Sequence, residues 1–288
     1  MTPVTEPTWD PRQYLRHADH RTRPFRDLLA RIDDLPDADA DASADTDAPG
    51  LPDAPGRPGP RIADLGCGAG NVTVLLADRW PTARITGYDT SPQMLAEAAA
   101  HARPPLLDFA EADAATWTPP ETYGLIVSTS ALQWIPGHAD CFPRWLDALA
   151  PGGALAFQVP GNFTAPSHTL LADLRASDRW RARLHGTGDR TASVLEPTDY
   201  LTRLRDLGCT ADVWETTYLQ TLQGEDAVLD WVKGTALRPV LTALADDPEA
   251  RDAFVAEYRD LLREAYPPGP YGTVFPFRRI FAVARKEK

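Results

Sequence analysis

Three glycines at alternate positions constrain this chain more than any other feature. Gly66, Gly68 and Gly70 stand in RIADLGCGAGN, Arg61 to Asn71, directly after a short apolar run and directly before a helical pattern. Glycine costs backbone entropy, so a cluster of it marks a place where something comes very close to the main chain. A strand that breaks into such a turn and continues as a helix is the opening of a parallel α/β sheet, whose ligands sit at the carboxyl ends of the strands.

The rest of the chain keeps that rhythm. Strand-like runs at 61–65, 83–88, 106–110, 123–128 and 154–159 alternate with helical patterns at 71–79, 91–101 and 141–149. YGLIVS, Tyr123 to Ser128, is apolar nearly throughout, as a buried parallel strand should be. Strands separated by helices imply right-handed crossovers. Past Pro160 the pattern changes to helices at 169–184, 198–207, 226–244 and 249–265, with β-rich runs at 211–222 and 273–285. The expected fold is α/β, a Rossmann-like doubly wound, mostly parallel seven-stranded sheet with an N-terminal helix and an inserted helical cap. Four segments follow. Residues 1–35 form an N-terminal helical segment closing over the ligand, with Phe25, Leu28, Leu29 and Ile32 on one helix face. Residues 36–60 form a disordered acidic linker, 61–160 the binding core, and 161–288 the cap with the last strands. The linker is low-complexity Asp, Ala, Pro and Gly with Leu51 as its one large apolar residue, too little to repay ordering.

Composition narrows the function. A net charge of −12 argues against a nucleic-acid or anionic-membrane partner. Cys67, Cys141 and Cys209 are scattered and odd in number, fitting free thiols in a reducing cytoplasm. The N-terminus is too polar for a signal peptide and no apolar run approaches a membrane span. No cysteine–histidine cluster has metal-ligand spacing, so no metal is expected.

Taken alone the glycine loop is a weak signal. The nicotinamide-cofactor pattern needs a third glycine three residues after the second, and Asn71 stands there. Asp89 ends ITGYD, 19 residues after Gly70, where an acidic side chain accepts both hydroxyls of a ribose; a helix cap or turn is its ordinary alternative. Asp113, in AEADA, closes the third strand and suits an exocyclic adenine amine. DLGCGAGN with YD and EAD downstream resembles the class I S-adenosylmethionine-dependent methyltransferases. That resemblance implies S-adenosyl-L-methionine as cofactor and S-adenosyl-L-homocysteine as product. It implies main-chain contact at Gly66, Gly68 and Gly70, and Asp64 orienting the donor's amino end. It also implies Met94 over the adenine, with a core position on an amphipathic helix as the rival reading.

The flanks are similar to one branch, the trans-aconitate 2-methyltransferases. The likeness rests on WDPRQYLRHADHRTRPFRDLLARI from Trp9, RWPTARITGYD from Arg79, SALQWIPGH from Ser130, VWETTYLQTL from Val213, DWVKGTALRPVL from Asp230 and FPFRRIFAVARK from Phe275. It spans nearly the whole chain, the acidic segment being the main departure. It implies an enzyme that esterifies one carboxylate of a small polycarboxylate, with Gln13 and Tyr14 reaching the donor's amino-acid end. A carboxylate with a pKa of about 4 is already ionised at pH 7. No catalytic base is therefore expected, and the work is positioning and removal of water. Arginines are the natural holders of the remaining carboxylates, since their planar fork grips bidentately. Arg238, Arg278 and Arg279 are the first candidates, with Arg21 and Arg23 beside the N-terminal helix; Gln133 and Trp134 follow the fourth strand and would wall the acceptor. Three other readings stay open: another small acid or natural product as acceptor, a non-catalytic cofactor-binding module, and a nicotinamide oxidoreductase. The sequence leaves oligomeric state undetermined.

Overall fold

The structure is a computed structural model describing residues 18–36, 59–184, 186–187 and 194–287, with backbone alone at 18–21. Its elements run α1 (Ala18–Leu29), β1 (Arg61–Leu65), α2 (Val74–Arg79), β2 (Arg84–Asp89), α3 (Pro92–Ala98), β3 (Leu107–Glu111), β4 (Tyr123–Thr129), α4 (Phe142–Asp147) and β5 (Leu149–Pro160). They continue as α5 (Pro166–Ala176), α6 (Arg181–Leu184), α7 (Pro197–Asp206), β6 (Cys209–Leu222), α8 (Ala227–Lys233), α9 (Arg238–Ala243), α10 (Pro248–Ala265), β7 (Pro268–Gly269) and β8 (Gly272–Lys286). The strand order is β3-β2-β1-β4-β5-β8-β6, and the two-residue β7 pairs with β8 off that path. The pairs β1–β2, β1–β4, β2–β3 and β4–β5 are parallel. The sheet is thus the expected Rossmann-like one, seven strands on its path with a small eighth appended. Strand order reverses at β1, with β2 on one side and β4 on the other, which sets a crevice at their carboxyl ends.

Where element boundaries differ from the sequence reading, local chemistry accounts for it. The helix expected at 71–79 begins at Val74 because Gly70 N–H still closes the glycine turn onto the Cys67 carbonyl. The helical run 169–184 is two helices: Ser177 donates both its N–H and its Oγ to the Leu174 carbonyl and ends the first. The run 226–244 breaks after Lys233, where Gly234 caps α8 and Pro239 stands in the first turn of α9. By contrast α3 starts as expected, with Ser91 accepting from Met94 N–H and Pro92 opening the helix.

The chain divides into two compact units. Among the described residues the first holds 21–36, 59–159, 194–215 and 280–287, and packs around Phe142, Trp145, Phe157 and Tyr200. Phe25, Leu28, Leu29 and Ile32 of the α1 stretch are all buried, as their spacing requires. β4 is buried along six of its seven residues. Among the described residues the second unit holds 18–20, 160–184, 186–187 and 216–279, with its own core of Trp180, Trp231, Phe254, Tyr258 and Phe275. Among the described residues no helix is long and apolar enough to cross a membrane. Most of the acidic segment, 37–58, lies outside the described residues, as do Gln13 and Tyr14.

Candidate active site

The three loop glycines do different jobs. Gly66 has φ +77°, and a Cβ there would lie 2.2 Å from the Cβ of Ala131, so the turn after β1 is packed hard against the turn after β4. Gly70 is closed off in the same way by the Phe109 ring. Gly68, with φ +56°, meets nothing within 4 Å. It is where the main chain lies open to a ligand. The turn is pinned from the other side by the Tyr88 carbonyl at the end of β2, which accepts from Gly66 N–H at 2.8 Å and Cys67 N–H at 3.0 Å. Burial, followed by the nearby carboxylates of Asp64 and Asp89, pushes the Cys67 thiol far up, so it is an inert packing group.

Two carboxylates flank this turn. Asp64, in β1, is fully buried; its Oδ2 accepts from Thr73 Oγ1 at 2.7 Å, while Oδ1 has no hydrogen-bond partner among the described residues. Burial raises its pKa to about 7, only partly offset by the Thr73 bond and increased further by Asp89. A buried carboxylate with one unmatched oxygen is complementary to a cationic group such as an ammonium. Asp89, ending β2, is half-buried and aimed by two backbone donors: Gly68 N–H to Oδ2 at 2.8 Å and Ser91 N–H to Oδ1 at 2.9 Å. Each oxygen keeps a lone pair for a further donor. Asp89 is therefore both turn residue and candidate ribose ligand, the two readings that sequence had set against each other.

At the end of β4 the backbone is strained. Ser130 has φ +53°, a conformation L side chains rarely adopt. It is held there on three sides: its N–H donates to the Gln158 carbonyl at 2.9 Å, its Oγ accepts from Gln158 Nε2 at 2.6 Å, and its carbonyl accepts from Gln133 Nε2 at 2.6 Å. The bend throws Ala131 onto Gly66 and leaves Gln133 buried with no partner for its Oε1 among the described residues. Trp134 follows in a short 3-10 turn, partly buried. Sequence reading found Gln133 and Trp134 but not Ser130, Gln158 or Thr73; no side-chain pattern marks a serine forced to positive φ.

Met94 is buried on α3 beside Ala98. Asp113 needs a correction. β3 ends at Glu111, and exposed Asp113 opens the following turn, its Oδ1 accepting from Ala115 N–H and its carbonyl from Thr116 and Trp117 N–H. β3 runs one residue past the expected 106–110 and the chain leaves the sheet after Ala112 N–H bonds the Asp89 carbonyl, so Asp113 stands just beyond the strand rather than closing it.

The later arginine candidates belong to the second unit. Arg238 opens α9 and is partly buried. Arg278 is partly buried and exchanges two bonds with Gly161: its Nη1 donates to the Gly161 carbonyl at 3.2 Å, and its carbonyl accepts from Gly161 N–H at 2.9 Å. Arg279 is 3% exposed, with its guanidinium 4.8 Å from the centroid of the Phe277 ring. Arg21 lies in α1 where backbone alone is described, and Arg23 is exposed on the same helix. His168 sits against Ser167 Oγ at 3.2 Å, and burial lowers its pKa to about 4, the signature of a neutral structural imidazole. Among the described residues there is no group of three or more His, Cys, Asp or Glu placed to hold a metal.

The first unit carries a known family signature: the methyltransferase domain family matches residues 62–153. A trans-aconitate 2-methyltransferase of Streptomyces coelicolor (strain ATCC BAA-471 / A3(2) / M145) is 63% identical over 288 residues, covering 99% of this chain and 88% of the relative. One of Rhodococcus jostii (strain RHA1) with the same name is 47% identical over 279 residues, covering 96% of this chain and 99% of its own. Among solved structures, the YcgJ protein of Bacillus subtilis superposes with a TM-score of 0.51 at 13% identity, covering 80% of this chain and 92% of that one. At that identity it speaks for the fold alone.

Proposed function

The chain belongs to the trans-aconitate 2-methyltransferase family, and from that premise we propose that it transfers a methyl group to one carboxylate of trans-aconitate, giving the monomethyl ester. The donor is S-adenosyl-L-methionine and the spent product S-adenosyl-L-homocysteine. When bound, the donor supplies an electrophilic methyl on a sulfonium, and everything else is the work of this chain's residues.

One observation carries the reading: the unmatched Oδ1 of fully buried Asp64, beside a main chain left open at Gly68 and an Asp89 carboxylate aimed by backbone donors. Asp64 would hold the donor's ammonium and Asp89 its ribose hydroxyls, against the main chain of Gly66, Gly68 and Gly70; Gly68 keeps a side chain out of the donor's path, while Gly66 and Gly70 let the turn close on Ala131 and Phe109. Met94 and Asp113 are assigned to the adenine, and Gln13 and Tyr14 to the amino-acid end. The acceptor carboxylate arrives ionised, so no residue need remove a proton. A guanidinium on the reacting carboxylate itself would blunt it; Arg238, Arg278, Arg279 and Arg21 are therefore assigned to the carboxylates that do not react. Gln133 and Trp134 are assigned to excluding water. Holding the reactants in line supplies on the order of 7–11 kcal/mol of the barrier lowering. The net charge of −12 counts against nucleic acid as a partner and leaves the acceptor's own negative charge to be met locally by the arginines, and the three free cysteines support a cytoplasmic setting.

Turnover of trans-aconitate, cis-aconitate and citrate side by side, with product masses, tests this. The expected result is a gain of one methyl on trans-aconitate with the highest kcat/KM. Methylation of none of the three, by protein that binds S-adenosylhomocysteine, would remove the acceptor assignment.

A further inference from the structure

Two carboxamides in the second unit are buried with nothing to bond. Asn162 is 3% exposed and Gln220 4%, and in each neither the amide nitrogen nor the amide oxygen has a hydrogen-bond partner among the described residues. A carboxamide carries two donors and two acceptor lone pairs. Leaving a buried polar group unmatched costs roughly 1–3 kcal/mol, so native proteins rarely do it without a reason. Other unmatched buried atoms among the described residues, such as Trp145 Nε1 and His138 Nδ1, are single atoms of their side chains. At Asn162 and Gln220 the whole functional group is unmatched.

Their surroundings say what would match them. Asn162 directly follows Gly161, the residue locked to Arg278 by the bond pair described above. Gln220 lies on the buried face of β6, between buried Tyr218 and Leu222. On β8 alternate residues Thr273, Phe275, Phe277 and Arg279 are buried in the same unit. Amide donors, guanidinium cations and flat aromatic rings are the complement of a planar, unsaturated polycarboxylate. We infer that Asn162 and Gln220 are specificity-determining residues whose amide N–H groups bond the acceptor's non-reacting carboxylates. The inference rests on the acceptor class proposed above and adds to the arginines two neutral donors, which orient a carboxylate without adding charge.

The test uses the full chain. Asn162→Ala and Gln220→Ala are each expected to raise KM for trans-aconitate at least tenfold, with kcat within about threefold, and to leave S-adenosylhomocysteine affinity at its wild-type value. Asn162→Asp and Gln220→Glu keep the shape but place a negative charge against a trianion. They should raise KM further than alanine does, and added salt should recover part of that loss. Such screening is not expected of a group that only holds structural water. An unchanged KM in both alanine variants, whatever happens to Tm, overturns the inference; so does an Asp or Glu variant no worse than its alanine counterpart. If the wild type turns over a different acid instead, the acceptor assignment fails by itself, and the same KM comparison on that acid still decides the role of the carboxamides.

Discussion

The two units treat buried polar groups in opposite ways. In the first, nearly every polar group around the glycine turn is already tied: Asp89 to Gly68 and Ser91, Asp64 to Thr73, and Ser130 to Gln133 and Gln158. Ser128 Oγ likewise donates to the Leu65 carbonyl at 2.7 Å. One oxygen of Asp64 and one of Gln133 are left over. In the second, whole carboxamides are left over. A turn whose shape is fixed before the ligand arrives suits a donor common to many enzymes. Unmatched groups that only the right ligand completes suit an acceptor that must be told from its isomers. Discrimination by hydrogen bonding is strong because the wrong ligand leaves the site's polar groups unpaired.

The sharpest way to break this contrast is Asp89→Ala. The side chain orients Gly68 and is assigned to two ribose hydroxyls, and charge-assisted bonds contribute about 1.5–3 kcal/mol each. Affinity for S-adenosylhomocysteine should fall about 100-fold or more by calorimetry, with KM for trans-aconitate changed only a few-fold at saturating donor. Wild-type affinity would take Asp89 out of the ribose role. The reciprocal change is smaller. Arg238→Ala and Arg279→Lys should each raise KM for trans-aconitate about tenfold while donor affinity stays put, the lysine failing because it lacks the planar fork. Equal effects on both ligands would erase the division of labour.

pH separates the units more gently, and in opposite directions. The Asp64 pKa of about 7 lies above its ordinary 3.8, so its contribution to stability is fully present below 3.8 and is lost as pH rises towards 7. His168 is held down at about 4 against an ordinary 6.5, so its contribution is present above 6.5 and is lost as pH falls towards 4. Tm measured from pH 4 to 8 should show the acid-side loss shrink in His168→Gln and the alkaline-side loss shrink in Asp64→Asn. Donor affinity should run against Asp64's own stability trend, since an ammonium needs the ionised form. S-adenosylhomocysteine is expected to bind several-fold tighter at pH 8 than at pH 6, and Asp64→Asn should flatten that slope.

How much of this was legible in the sequence follows the same division. The strands, the glycine turn, Asp64 and Asp89 could be read because backbone conformation dictates residue type there: positive φ selects glycine, and a buried strand selects an apolar run. Even so, sequence could not show that Gly66 is required by Ala131, a contact across 65 positions of chain. Asp113 stands just past the strand it is expected to close because nothing in AEADA marks where β3 stops. Ser130 and Gln158 were invisible since their pairing is tertiary. Asn162 and Gln220 were overlooked for a related reason: burial without partners is a property of packing, and an amide inside VPGNF or TYLQTL reads as an ordinary surface residue.

The smallest expected effect concerns the acidic segment, and it tests whether the donor unit is complete without it. The two ends of that segment meet. A Cβ built on Gly124 would lie 2.7 Å from the Pro36 carbonyl oxygen and 3.1 Å from Pro60 Cβ, so a short bridge can replace what lies between. Deleting 37–58 and joining Pro36 to Gly59 through two glycines shortens the closed loop several-fold, which relieves about 1–2 kcal/mol of closure entropy. For a chain of this size that corresponds to a Tm higher by a few degrees. The deletion also removes six aspartates and one arginine, five of the twelve net negative charges. A trianionic acceptor should then approach slightly more readily, lowering KM by less than threefold at low salt and not at all at high salt. Donor affinity should not move. A large loss of turnover would mean that these residues contribute directly to catalysis, and the glycine turn with its two carboxylates would no longer suffice as the description of the donor half.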